Sequence, residues 1–117
     1  MPHKKGLELL RSGDVAGFNA WVAGRREKGK RAVDLDDQDL KGLNLEQVDL
    51  RDAHLNGANL RDADLTGADL RHARLRQADL RDADLNGADL TDADLRKAKC
   101  KGANFNKALL VGTRGMD

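Results

Sequence analysis

From residue 33 to residue 112 an apolar side chain returns at every fifth position. The series begins at Leu35 and Leu40, runs unbroken as Leu to Leu95, and ends with Cys100, Phe105 and Leu110, filling sixteen consecutive slots. A second register lies two residues earlier: Val33, Gln38, Leu43 and Val48, then Ala without exception from Ala53 to Ala108. On an α-helix a five-residue step advances about 140°, which scatters the Leu residues around the cylinder. On a straight strand an odd step sends them alternately to opposite faces. The backbone must therefore bend once per unit. A short extended side followed by a corner lets Leu, and the Ala two places before it, face a common axis while the other three positions look outward. Gly42, Gly57, Gly67, Gly87, Gly102 and Gly112 all occupy the last slot of the unit, where glycine supplies a positive φ for the corner.

Ahead of the repeats the period changes. Residues 5–11 read as a short helix stopped near Ser12 and Gly13, and Asp14 reads as the N-cap of a second helix from Val15 to about Glu27. Residues 28–31 form a polar linker. Phe18, Trp21 and Val22 fall in the second helix and are expected to pack over the open end of the coil, since a solenoid's terminal core and edge need covering.

The units read A-[DN]-L-x-x, and this resembles the pentapeptide-repeat family over about two thirds of the chain. The resemblance implies a fold class: an all-β solenoid, a right-handed quadrilateral β-helix of about four coils, here with an N-terminal α-helical cap. On that reading residues 1–32 are cap and linker, 33–112 the β-helix and 113–117 a tail, and residues twenty apart stack. Departures from the pattern lie at the ends, where Gln38 and Leu43 replace Ala and Leu109 replaces Asp or Asn. The resemblance also implies a non-catalytic structural or protein–protein interaction module. As an alternative it implies a mimic of DNA that binds a type II topoisomerase such as gyrase, as some members do.

Charge bears on that alternative. The net charge of +1 divides into +5 over residues 1–32 and −4 over 33–112. Summed down each of four expected columns, the outward slots carry about 0, +1, −2 and −3, well short of a polyanion. The basic run from Arg25 to Arg31 lacks interleaved aromatics and follows a helix C-terminus, where cations are favoured by the dipole, so direct nucleic-acid binding is not expected.

Catalytic chemistry finds little support. No phosphate loop or nucleophile motif is present, so no cofactor and no small-molecule substrate is expected. His54 and His72, with Asp52 or Asp92 near, fall short of an organised metal site, and none is predicted. Cys100, alone in an inward slot, reads as a small core residue. No apolar run suggests a signal or membrane segment, so the cytoplasm is the expected compartment. The sharpest functional expectation lies near the C-terminus, where Leu109 and Val111 occupy slots that are polar upstream. With Leu110 and Phe105 they predict a two-fold homodimer joined through the C-terminal ends; the identity of any other protein partner is not readable from the sequence.

Overall fold

A computed structural model describes residues 3–116; Met1, Pro2 and Asp117, the outermost positions of the expected cap and tail, lie outside the described residues. Helix α1 spans Lys4–Arg11 and helix α2 spans Val15–Glu27. The Asp14 carboxylate accepts the Gly17 N–H at 2.8 Å, meeting one of the donors that a helix start leaves unpaired. The two helices approach closely at Gly6, where a Cβ would sit 2.9 Å from the Trp21 ring.

The remainder is a β-helix solenoid. Parallel bridges join residues twenty apart in four stacks that begin at Asp34, Asp39, Asn44 and Asp49, so four five-residue units complete one circuit. Hydrogen bonds run in both directions between successive circuits: Leu60 N–H donates to the Asp79 carbonyl at 2.8 Å, and Asn59 N–H donates to the Gln38 carbonyl at 2.9 Å. Within each unit the residue after the corner donates back to the Leu carbonyl three positions earlier, as Ala53 does to Leu50 at 3.1 Å. The third residue of each such turn has positive φ, the mark of a type II turn.

The core follows from this geometry. Leu35 to Leu90 are 0% exposed and Leu95 is 1% exposed, with Ala53 to Ala93 filling the corners between them. Each Leu so placed contributes about 1.5–3 kcal/mol relative to an exposed one. Burial fades beyond Leu95, where Cys100 and Phe105 are partly buried and Leu110 is exposed.

Twelve of the sixteen residues that precede the inward Leu-type position are Asp or Asn, and their function is local. Each accepts the backbone N–H two residues on, as Asp79 does from Arg81 at 3.1 Å and Asn59 from Arg61 at 3.1 Å. On the first stack His54 and Arg74 break the rule, and the circuit above substitutes. Asp36 Oδ1 accepts the Asn56 N–H at 2.8 Å, and Asn56 Oδ1 accepts the Arg76 N–H at 3.0 Å.

Candidate interaction surface

At the helical end, side chains take the place of a preceding circuit. His3 N–H donates to the Asp34 carbonyl at 3.1 Å, while its Nδ1 accepts the Asp34 N–H at 2.8 Å. Arg11 donates to the Asp39 carbonyl at 3.4 Å. Asn19 meets both needs of the last stack, accepting the Asp49 N–H at 2.8 Å and donating to the Gln47 carbonyl at 3.1 Å. Beneath these contacts Phe18 is fully buried and Val22 is 4% exposed. Trp21 is half-buried, 5.7 Å from the Phe18 ring and under the Arg25 guanidinium at 5.1 Å. Burial, helped by the Arg25 charge, lowers the pKa of the His3 imidazole from its usual 6.5.

One outer face is an ionic zipper. Arg26 of α2 grips Asp49 through two bonds of 2.6 and 2.9 Å, Arg51 joins Asp49 to Asp69, and Arg71 continues toward Asp89. Burial works to raise the pKa of Asp49, but hydrogen bonds from Arg51 and Arg26 outweigh it and hold the carboxyl well below the usual range. Elsewhere single pairs form: the Arg81 bond to Asp79 and the Arg96 bond to Asp94 pull each carboxyl down to about 2.

Leu109 and Val111 lie at the far end of the zipper face. They are 54% and 74% exposed, flanking Leu110, which is 36% exposed, while Phe105 is partly buried. The stacked partner of Leu109 is Asp89, so these two side chains look sideways from the coil and only the inward positions are seen end-on.

The histidines fall apart from each other. His72 Nε2 is 3.9 Å from Asp92. His54 stacks under Asp34, and ligand atoms of Asp34, Asp36 and His54 lie within 4.8 Å of one another. The sequence reading paired the histidines with Asp52 or Asp92 and missed this group, although the twenty-residue step places His54 directly beneath Asp34. Asp34 and Asp36 each already accept a backbone N–H, at 3.1 and 2.8 Å, which occupies part of their capacity as ligands. Burial raises the pKa of the Cys100 thiol. Open grooves line the outside: one of about 560 Å³ beside His72, Arg74 and Arg76, and one of about 460 Å³ between Arg61, Arg81 and Lys101. Among the described residues no helix is long and apolar enough to cross a membrane.

The twenty-residue register has close counterparts. A pentapeptide repeat protein from the cyanobacterium Cyanothece 51142 is 35% identical over 70% of this chain and 56% of its own, with a TM-score of 0.69. Another from Nostoc Pcc 7120 is 42% identical over 72% of each chain, with a TM-score of 0.61. QnrB1, a plasmid-mediated fluoroquinolone resistance protein, shares the fold at 24% identity and a TM-score of 0.65, over 68% of this chain and 39% of its own. No curated protein matches the chain. The sequence model for pentapeptide repeats, in eight copies, matches residues 31–67, 44–82 and 73–112. With the repeat matched through nearly all of the solenoid and the coil geometry shared with these structures, the chain belongs to the pentapeptide-repeat family.

Proposed function

We propose that this chain is a non-catalytic protein–protein interaction module, a right-handed quadrilateral coil of about four turns working in the cytoplasm. The observation that carries the reading is the division of chemistry between inside and outside. The interior is filled with Leu and Ala, no charged or polar residue is buried among the described residues, and the ionisable groups stand on the outer faces in fixed register. Such a surface suits recognition by a complementary protein surface better than chemistry on an enclosed substrate. Affinity capture from the source cell tests it: a protein bound stoichiometrically supports the module, and turnover of any substrate by the purified chain overturns it. The alternative of a DNA mimic predicts inhibition of gyrase supercoiling. We expect none, because Arg26, Arg51 and Arg71 interleave with Asp49, Asp69 and Asp89 along the zipper face and break up a continuous acidic surface.

Homodimerisation is a second reading, favoured by the exposure of Leu109 and Val111. Their apolar pair completes a face that is ionic upstream, and two copies related by a two-fold axis would bury it. Sedimentation at micromolar concentration is expected to show a dimer that Leu109→Lys with Val111→Lys converts to monomer. A monomeric native chain removes the idea.

A further inference from the structure

Summed down the first two faces the charges of the coil nearly cancel, at about 0 and +1, but they do not cancel along its axis. The side that carries the second stack, with the corners at either end of it, shows this most clearly. At its upper rung it carries Asp36, Asp37 and Asp39 with a single cation, Lys41. Two circuits further on, the same region presents Arg76 and Arg81 with two carboxylates, Asp79 and Asp82. At the last rung it presents Arg96, Lys97, Lys99 and Lys101 and no acid. From residue 96 to residue 116 there are six cations and no carboxylate, the reverse of the repeats above.

Arg96 is bonded to Asp94 at 2.7 Å, but the lysines beside it are available. Lys97, Lys99 and Lys101 are exposed, and no side-chain hydrogen bond or ion pair holds them among the described residues. The arginines of the zipper face, by contrast, are tied to aspartates. Arg61 is also without an ion pair, because Asn59 stands where its neighbour rungs carry aspartate. Arg61, Arg81 and Lys101 line one groove of about 460 Å³, which also contains Asp82.

We propose that this basic corner, centred on Lys97, Lys99 and Lys101, is a docking surface for an acidic segment of a partner protein. The inference rests on the interaction-module reading and adds to it the face and the chemistry of the partner. Two features favour a protein over other anions. The exposed Asp82 carboxylate accepts no hydrogen bond among the described residues, so an occupant that carries donors as well as acids suits the groove better: a peptide offers backbone N–H groups beside its carboxylates, whereas a phosphodiester backbone offers none. The corner also has no aromatic side chain on which a base could stack. Lys99 stands on the second side of the circuit, across from the fourth side that carries Leu109.

Fluorescence anisotropy with a fluorescein-labelled oligoglutamate peptide tests the proposal. Saturable binding that weakens as salt rises is expected, and Lys97→Glu, Lys99→Glu, Lys101→Glu together should weaken it about tenfold or more. A control with the same charge change at the other end, Lys28→Glu, Lys30→Glu, Arg31→Glu, should stay within about twofold of the native chain. Absence of binding, equal loss in both triple variants, or tighter binding of a single-stranded oligonucleotide of equal charge would each overturn it. A partner captured from cells that binds the corner variant undiminished would remove this face while leaving the interaction-module reading in place.

Discussion

The residue that rounds each corner bears the largest local strain. Gly is present at six of the corners, but ten others hold Asp, Gln, His or Lys at φ between 59° and 63°. An L-residue in this region costs about 1–2 kcal/mol, which packing of the inward Leu must offset. The sequence marked only the glycine corners, because the others are dictated by closure of the circuit, a tertiary constraint that no local propensity displays. Gly87 isolates the backbone term, since a Cβ there would meet nothing within 4 Å. Gly87→Ala is therefore expected to destabilise by about 1 kcal/mol in urea unfolding, while Gln77→Gly is neutral or stabilising. The carboxylates add a pH term. Asp79 and Asp94, lowered in the folded chain from 3.8 to about 2, contribute stability that is complete above pH 3.8 and lost as pH falls toward 2. Thermal melts should therefore show Asp79→Asn with Asp94→Asn losing less in that window than the native chain. An equal loss would mean that other carboxylates govern acid unfolding.

Among elements, the helix pair and its place over the open end of the coil were expected from the sequence, but its backbone contacts were not. Asp14 as a cap and the span of α2 follow from residue type and spacing, and both appear as expected. That Asn19, Arg11 and His3 would satisfy the backbone of three different stacks could not be read, because each contact links residues 28 to 31 positions apart. Asn19→Ala should leave the Asp49 N–H unmet and cost about 1–2 kcal/mol, with faster amide exchange confined to the upper edge. His3 makes the same edge sensitive to pH. Its Nδ1 must be unprotonated to accept from Asp34, and its folded pKa lies below 6.5, so the unfolded chain takes up the proton first. Stability is full above pH 6.5 and declines as pH falls from there to the lower folded value. His3→Gln should remove that decline, and a native chain with flat stability across this range would contradict the arrangement.

At the scale of the whole molecule, measuring 36 × 26 × 25 Å, one register coordinates everything else. A step of twenty residues stacks Leu on Leu within and selects which charges meet outside, including the zipper from Arg26 to Asp89 and the gradient that ends at Lys101. The period of five was plain in the sequence. The approach of His54 to Asp34 and Asp36 follows from the twenty-residue step, and the axial run of charge emerges only when the chain is read by circuit as well as by column. Scalar coupling across hydrogen bonds in a labelled sample measures that register directly. The Leu60 amide nitrogen should couple to the carbonyl carbon of Asp79, its acceptor nineteen residues onward at 2.8 Å. Coupling of Leu60 to a carbonyl four residues earlier, or to one in any other register, would contradict the coil and the surface arranged on it.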